Sequence, residues 1–221
     1  MASRTALVTG GTGGLGPAVI AALLADGWRV VAPHRAGSAV ERLPDGAETV
    51  VADLADPDAV ASAVAAAAGE PAAPLRAVCN LAGGWAGGAP VAEAPVEVLD
   101  RLLALNLRPT YLVTRAALAP LAAAGGGSVV CVAARAAVEP FAGAAAYVAA
   151  KAAVLGFARV VALEGAGDGI RCNTLLPRVI DTPANRAAGM SAGVAPERVA
   201  AVVAWLCGEA SAALTGAAIP V

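Results

Sequence analysis

The sequence predicts an α/β fold of one domain, a doubly wound parallel sheet with helices on both faces. Short apolar segments alternate with longer helical segments along the chain, which is the pattern of such a sheet. Glycines follow the first apolar segment, where a strand would turn into a helix. The chain has 221 residues and shows neither a long polar linker nor an internal repeat, so residues 1–221 are interpreted as a single domain.

The predicted elements follow one another as strand and helix from the first apolar segment onward. This segment, Ala6, Leu7 and Val8, is a short strand that leads through a glycine-rich turn into a helix at residues 17–24. Six further strands are predicted at residues 28–32, 48–52, 75–80, 128–133, 170–176 and 217–221. Five further helices are predicted at residues 57–68, 95–105, 107–124, 144–164 and 196–207, and a loop or short helix at residues 177–193.

The composition gives no sign of a membrane or nucleic-acid protein. Hydrophobic residues make up 58% of the chain, but alanine dominates that figure and aromatic residues are only 3%. A long uncharged run, residues 116–134, is interrupted by Pro120 and by three consecutive glycines, so it does not predict a membrane span. The first strand starts close to Met1 and leaves no room for a signal peptide, so the protein is expected in the cytoplasm. The net charge is -2 and basic residues are scattered, which gives no footprint for nucleic acid.

The cysteines and the single histidine exclude the common metal sites. Cys79, Cys131, Cys172 and Cys207 lie far apart, without a CxxC pair or a zinc knuckle, and three of them lie in apolar strand-like segments. They are interpreted as buried, reduced thiols. His34 is the only histidine, so most histidine-based metal sites and a Ser-His-Asp triad are excluded. No metal site is predicted.

The glycine-rich turn has the spacing Thr9-Gly10-x-x-x-Gly14-x-Gly16. Gly10 and Gly14 allow the backbone to bend and to approach a ligand, and Gly16 allows the helix to pack closely on the strand. Free N–H groups at the start of the helix favour an anion such as a pyrophosphate. The alternative is an ordinary tight turn, because a glycine-rich turn alone is a weak signal.

The end of the second strand bears on the choice of dinucleotide. In a dinucleotide-binding fold this position meets the adenine ribose, where an acid accepts from a free 2'-hydroxyl and a cation favours a 2'-phosphate. Here His34 and Arg35 occupy the position, and no acid does. NADP(H) is therefore favoured over NAD(H), with a solvated loop arginine as the alternative.

Tyr147 and Lys151 are the first candidates for catalysis. They lie four residues apart in a predicted helix and therefore share one of its faces. A nearby cation stabilises a phenolate, so Lys151 is expected to lower the pKa of Tyr147 towards the range useful for acid-base catalysis. An isolated pair with this spacing is more often a solvated surface pair, and the interpretation depends on the rest of the chain.

The remaining motifs identify a family. Asp53 follows the third strand, an N-x-A-G motif runs from Asn80 to Gly83, and Asn106 precedes a helix. Together with the glycine turn and the Tyr-Lys pair, these residues resemble the short-chain dehydrogenase/reductase family from end to end. This resemblance implies a Rossmann-type fold and an NAD(P)-binding domain.

The resemblance also implies roles for residues at matching positions. Tyr147 would donate a proton, Lys151 would bind the nicotinamide ribose, and Asn106 would fix a water next to Lys151. The other cofactor-binding residues that it implies are Gly10, Gly14, Leu15, Gly16, Asp53, Leu54, Asn80, Ala82, Gly83, Pro177 and Thr182.

Two positions depart from the family pattern. The family's usual Pro-Gly after the sixth strand is Pro177-Arg178 here, and its usual serine thirteen residues before the tyrosine is Ala134. Losing one such hydroxyl donor costs about 100- to 1000-fold in rate when charge develops on a substrate oxygen. Either the protein is not catalytic, or its substrate accepts hydride without that help.

Three segments favour the second explanation. They are the loop L-A-G-G-W-A-G-G at residues 81–88, the run A-R-A-A that starts at Ala134, and the segment L-P-x-x-x-D-T-P-x-N-R that starts at Leu176. All three are similar to the quinonoid dihydropteridine reductases of this family, which also have alanine in place of the serine. Trp85 would stack on a flat heterocycle, with capping of the sheet end as the alternative. Arg135 would either complement substrate charge or pair with Glu139.

The expected function is NAD(P)H-dependent reduction of a small, electron-poor conjugated heterocycle, most like a quinonoid dihydropterin. The resemblance implies transfer of the pro-S hydride, coupled to a proton from Tyr147. Two alternatives remain: a generic carbonyl, quinone or imine reductase, and a non-catalytic dinucleotide-binding subunit or sensor. The intact Tyr147, Lys151 and Asn106 argue against the sensor. By analogy with the family, a homodimer or homotetramer is expected through the helices that start near Leu107 and Tyr147.

Overall fold

Seven parallel strands form one sheet in the computed structural model, which describes residues 2–190 and 193–221. The strands are β1 (Thr5–Thr9), β2 (Arg29–His34), β3 (Glu48–Val51), β4 (Leu75–Asn80), β5 (Gly127–Val132), β6 (Ile170–Leu176) and β7 (Ala218–Pro220). The helices are α1 (Gly16–Ala25), α2 (Pro57–Ala68), α3 (Val96–Asn106), α4 (Arg108–Ala123), α5 (Ala145–Glu164), α6 (Pro183–Ala187) and α7 (Pro196–Cys207). The predicted doubly wound α/β fold is confirmed.

The strand order places a crevice above the centre of the sheet. The order is β3-β2-β1-β4-β5-β6-β7, so the chain winds outward from β1 to one edge and then returns to start β4 on the other side of β1. The chain leaves β1 towards one face of the sheet and leaves β4 towards the other face. Sheets of this kind bind ligands in the crevice between the carboxyl ends of two such strands. The polar residues predicted for the site lie at these carboxyl ends.

Two apolar cores cover the two faces of the sheet. On one face α1 and α7 pack together against residues such as Val8, Val30 and Val130. On the other face α2, α4 and α5 pack against residues such as Leu7 and Val129. Strands buried on both faces explain why the sequence shows continuous apolar runs rather than alternation.

The main difference from the predicted boundaries lies at the end of β2. The sequence places the strand at residues 28–32, whereas the structure extends it through Pro33 to His34. Proline has no N–H to donate to a neighbouring strand. It is tolerated here because β1 pairs with β2 only as far as Val31, while β3 pairs with Pro33 and His34 on the other side.

The segment 177–193 contains α6, and the part of that prediction at residues 191–192 lies outside the described residues. The Thr182 side chain caps α6 by accepting from the N–H of Asn185 at 3.2 Å. Among the described helices, α5 is the one that is long and apolar enough to cross a membrane by length and composition. Its inner face packs on β5 and β6, as the core helix of a globular domain does.

All four cysteines are buried and unpaired by disulfides, as predicted. Cys79 on β4 and Cys207 at the end of α7 bring their sulfurs to 3.5 Å, a contact between two thiols. The described residues contain no group of three or more His, Cys, Asp and Glu side chains placed to hold a metal ion.

Candidate active site

The glycine turn and the segment after β6 form two facing walls of the crevice. Gly10 has φ 68°, a left-handed conformation that glycine adopts without strain, and its carbonyl accepts from Gly13 N at 2.9 Å. A Cβ on Gly14 would lie 2.5 Å from the methyl carbon of Thr182. Gly14 is therefore required for the turn and the segment after β6 to approach each other, and the two predicted cofactor-binding residues are neighbours.

Thr9 connects the turn to β4, a role that the sequence did not reveal. Its hydroxyl oxygen accepts from the N–H groups of Leu81 and Ala82 at 3.1 and 3.3 Å, and the side chain is buried. These bonds hold the chain that follows β4 against the end of β1. Because the partners are more than 70 residues apart, local spacing in the sequence carried no signal for them.

The start of α1 fits the pyrophosphate of a dinucleotide. Gly16 opens the helix, its first turn contains no acidic residue, and no side chain in the described part of the chain caps its N–H groups. These N–H groups and the helix dipole favour an anion. A Cβ on Gly16 would collide with the carbonyl oxygens of Gly10 and Gly11, so glycine is needed for the close approach of helix and turn. Leu15 is buried in the core beneath.

The residues predicted to contact the adenosine part of a dinucleotide lie at the ends of β2 and β3. His34 ends β2 and pairs in register with Val51, and the exposed Arg35 follows it. The carbonyl of His34 accepts from Ala52 N at 2.8 Å, which places Asp53 beside the end of β2. The Asp53 carboxylate accepts from the N–H of Ala55, and Leu54 packs on the core. The contacts of Arg35, Asp53 and Leu54 with a cofactor remain predictions.

The side chains of Lys151 on α5 and Asn106 at the end of α3 meet beside Gly83. Lys151 is 5% exposed, and its Nζ donates to the carbonyl of Val132 at 3.0 Å. A Cβ on Gly83 would lie 2.6 Å from Asn106 Oδ1 and 3.1 Å from Lys151 Nζ. The absence of a side chain at Gly83 thus allows the Asn106 amide and the Lys151 ammonium to approach the same space.

The Asn106 side chain holds the loop that follows β4. Its Oδ1 accepts from Gly84 N at 3.1 Å, and its Nδ2 donates to the carbonyls of Gly84 and Leu102 at 3.1 and 3.0 Å. Asn106 is fully buried. The amide therefore fixes the position of Gly84 and of the neighbouring Trp85, a contact that the sequence did not indicate. Its predicted water next to Lys151 stays a prediction.

Asn80 is directed into the protein. Its Nδ2 donates to Thr114 Oγ1 at 2.9 Å, which ties β4 to α4, and the residue is 2% exposed. Its Oδ1 has no hydrogen-bond partner among the described residues. A cofactor contact of Asn80 remains a prediction, as does that of its neighbour Ala82.

Tyr147 lies in a cavity of about 510 Å³ at the mouth of the crevice. The ring of Trp85 meets the Tyr147 ring edge to face, with ring centres 4.8 Å apart, and the ring centre of Phe141 lies 5.7 Å from that of Trp85. Ala134 and Pro177 line the same cavity. Trp85 is thus part of the cavity wall. Phe141 is a wall residue that sequence reasoning missed.

The environment of the Tyr-Lys pair differs from expectation. Burial raises the pKa of Tyr147. Burial lowers the pKa of Lys151 to about 8, against a smaller opposite effect of Cys131. The Lys151 Nζ lies 6.0 Å from the centre of the Tyr147 ring and donates to Val132 instead of to the phenol. The expectation that Lys151 lowers the pKa of Tyr147 is therefore wrong for the protein alone, because desolvation outweighs a cation at this distance.

Arg135 pairs with Glu139, as one of the two sequence interpretations had it. Arg178, the departure from the family's usual glycine, donates to the second carboxylate oxygen of Glu139 at 3.2 Å. Arg186 pairs with Asp181 at 3.0 Å. The Arg135 guanidinium, by hydrogen bonding, holds the pKa of Glu139 below its ordinary value.

The sheet order, the glycine turn under α1 and the Tyr-Lys pair on α5 define the class of protein: an oxidoreductase with a dinucleotide-binding fold. The chain matches the short chain dehydrogenase family over residues 4–191. It belongs to the short-chain dehydrogenase/reductase family, whose members bind a nicotinamide dinucleotide and act on small molecules.

Relatives and solved structures agree with this assignment. The chain is 35% identical to 2-(R)-hydroxypropyl-CoM dehydrogenase of Xanthobacter autotrophicus over 82% of its length and 76% of the relative. It is 32% identical to D-threitol dehydrogenase of Mycolicibacterium smegmatis, over 97% of the chain and 89% of the relative. A short-chain type dehydrogenase/reductase of Mycobacterium ulcerans superposes with a TM-score of 0.91 at 28% identity, over 100% of this chain and 89% of that one. A variant of actinorhodin polyketide ketoreductase with NADPH has the same score and identity, over 100% and 97% of the two chains.

Proposed function

We propose that the whole chain, residues 1–221, acts as one NAD(P)H-dependent reductase of an electron-poor conjugated heterocycle, most like a quinonoid dihydropterin. One observation carries the proposal. Among the described residues that line the cavity, Tyr147 has the only hydroxyl, because Ala134 stands where the family has serine. Asn185 also lines the cavity, but its amide nitrogen donates to the Ile180 carbonyl at 2.8 Å.

A bound reduced nicotinamide would supply the hydride. Gly14, Gly16 and Thr182 would hold the dinucleotide, and Lys151 on α5 would donate to its ribose. Tyr147 would donate the proton to the acceptor, and its raised pKa keeps the phenol protonated at neutral pH. Trp85 and Phe141 offer aromatic surface beside the phenol, which suits a flat ring and excludes water from it.

The chemistry of the acceptor compensates for the missing hydroxyl. Reduction of an ordinary ketone places negative charge on oxygen, and a serine donor stabilises that charge. A quinonoid dihydropterin is cross-conjugated and gains aromatic stability when it accepts a hydride. Such an acceptor needs a proton donor, which Tyr147 supplies, more than a second hydrogen bond.

NADP(H) is proposed as the preferred cofactor. His34 and the exposed Arg35 lie where the adenine ribose is expected, and neither position holds an acid that would accept from a 2'-hydroxyl. The similar ketoreductase structure with NADPH supports this choice. The preference of NADPH over NADH should decrease in the Arg35→Gln variant.

The proposal is tested by mixing the purified protein with NADPH or NADH and chemically generated quinonoid dihydropterin. Oxidation of the cofactor that depends on the pterin, and faster with NADPH, is expected. Tight binding of NADPH without turnover of the pterin, of quinones or of ketones would contradict the proposal and favour a non-catalytic sensor. Turnover of ketones alone would favour the second candidate.

That second candidate is a carbonyl, quinone or imine reductase of another substrate. The names of the two relatives and of the ketoreductase favour it, since all three describe dehydrogenases or reductases. The absence of a serine hydroxyl in the described cavity argues against a simple ketone.

Lys151 should set the alkaline limit of the reduction. The ammonium form is the one that donates to ribose hydroxyls, and with a pKa of about 8 it loses its proton as the pH rises through that value. Tyr147 stays protonated in this range because its pKa is raised. We expect kcat/KM to fall above pH of about 8 in the wild-type protein, and the Lys151→Arg variant to lose this limb because guanidinium remains charged. An equal decrease of kcat/KM at alkaline pH in both proteins would show that a group other than Lys151 causes it.

A dimer or tetramer through α4 and α5 remains part of the proposal. Tyr111 on α4 and Phe157 on α5 contact each other with ring centres 5.3 Å apart. Val160 and Leu163 on α5 are 50% and 80% exposed, so this face presents apolar side chains to solvent. Burial of such a face stabilises association. A monomeric mass in light scattering would contradict it.

A further inference from the structure

The cavity in front of Tyr147 carries a positive charge on one wall. Arg135 and Arg178 line it together with Glu139, and Glu139 is the one acid among the described lining residues. One Glu139 oxygen accepts from Arg135 and the other accepts from Arg178 at 3.2 Å. Two guanidinium groups thus share a single carboxylate, which leaves a net charge of one unit on this wall.

Both arginines retain hydrogen-bonding capacity. The planar guanidinium group of arginine presents a fork of N–H donors that suits the paired oxygens of an oxyacid. Arg135 Nε is buried and has no hydrogen-bond partner among the described residues. The Arg135 side chain as a whole is 26% exposed, so its terminal N–H groups, and not the buried Nε, are the donors within reach of a ligand. The Arg178 side chain is 69% exposed and can follow a ligand.

The positions of the two arginines tie them to the substrate cavity. Arg135 directly follows Ala134, and its N–H donates to the carbonyl of Pro177 at 2.8 Å, next to Arg178. The two backbone segments that hold the arginines are therefore bonded to each other. Arg178 also replaces the glycine that is usual in the family, so this chain adds a cation where the general pattern has no side chain.

We infer that the acceptor carries an anionic oxyacid group, a carboxylate, sulfonate or phosphate, that Arg178 and Arg135 bind while its conjugated ring lies beside Trp85 and Tyr147. This inference rests on the proposed function and narrows its substrate class. The anion accepts some of the hydrogen bonds that Arg135 and Arg178 otherwise donate to Glu139. Glu139 holds the two guanidinium groups in place and also weakens the attraction of the site for anions.

A matched pair of probes tests the inference: isatin, a flat electron-poor dicarbonyl, and isatin-5-sulfonate, which adds one fixed negative charge. In each case the ketone carbon takes a hydride from NADPH and its oxygen takes the Tyr147 proton, which gives the alcohol and NADP⁺. We expect kcat/KM of the wild-type protein to be about fivefold higher for the sulfonate, as one partly exposed ion pair provides. The difference between the two compounds should appear in KM and not in kcat, because the added charge lies away from the reacting atoms.

Three variants separate charge recognition from a structural effect. Arg178→Gln should remove the preference for the sulfonate, and Glu139→Gln should increase it, since one removes a cation and the other the competing carboxylate. Arg198→Gln, at an exposed arginine at the start of α7, should leave the preference unchanged. The opposite responses of the first two variants could not arise from a loss of folding.

The possible failures are distinguishable. Equal kcat/KM for isatin and its sulfonate, or equal effects of Arg178→Gln on both compounds, would overturn this inference and leave the reductase proposal intact. No turnover of either compound or of quinonoid dihydropterin would overturn the proposed function and the inference with it.

Discussion

Replacing Tyr147 by phenylalanine is expected to reduce kcat for quinonoid dihydropterin by about 10³-fold, the contribution of a positioned general acid. Tyr147 has the only hydroxyl among the described residues that line the cavity, so no neighbouring side-chain alcohol can replace it as proton donor. The phenylalanine ring keeps the edge-to-face contact with Trp85, whose ring centre lies 4.8 Å away. The loss should therefore concern the proton and not the shape of the cavity.

The measurement is steady-state turnover together with binding of NADPH, followed by its fluorescence. Binding should be preserved in the variant, because the phenol makes none of the contacts assigned to the dinucleotide. The chain has only two tyrosines, which makes Tyr111→Phe the matched control. Tyr111 is 48% exposed on α4 and lies outside the cavity, so its variant should turn over like the wild type. Wild-type turnover in the Tyr147 variant would remove Tyr147 from the mechanism.

Replacing Ala134 by serine is expected to create an ordinary ketone reductase. Ala134 has extended backbone, φ -160°, is 7% exposed and lines the cavity with Tyr147, so one hydroxyl can be added there without backbone strain. A donor of this kind contributes about 100-fold or more when charge develops on a carbonyl oxygen. We expect kcat/KM for cyclohexanone to rise by about 100-fold, and that for quinonoid dihydropterin to change little.

The comparison of the two substrates is the test, measured with the same enzyme preparation. Ala137→Ser is the control, since it adds the same group three residues further along, in a half-buried position that does not line the cavity. If Ala134→Ser raised both activities equally, the pterin would depend on a hydroxyl donor as a ketone does. The missing serine would then no longer indicate an electron-poor acceptor.

Much of the fold could be predicted because the information is local. The bounds of β4, β6, α2 and α7 agree with the apolar runs and breakers of the sequence. Prolines at the first turn of α2 and α7 and the Asp56 cap of α2 mark helix starts by short-range chemistry. The end of β2 could not be predicted, since Pro33 is allowed in the strand only because β1 has already ended its pairing.

The site was predicted in part for the same reason. The glycine turn, the Tyr-Lys spacing and Ala134 are local patterns, and the structure assembles them around one crevice. The bonds of Thr9 to the chain after β4, and of Asn106 to Gly84, join residues distant in sequence. They could be seen only once the strands were placed side by side.

The sequence by itself determined that this chain forms a doubly wound sheet. It also determined that Tyr147, Lys151 and a position without a hydroxyl, Ala134, lie near the carboxyl ends of its strands. These features depend on residue type and spacing, which act within a few residues. Only the tertiary structure decided the environment of those groups: the burial that raises the pKa of Tyr147 and lowers that of Lys151, the aromatic wall of Trp85 and Phe141, and the sharing of Glu139 by two arginines. Desolvation and charge pairing depend on which distant segments are packed together, and no local pattern specifies that.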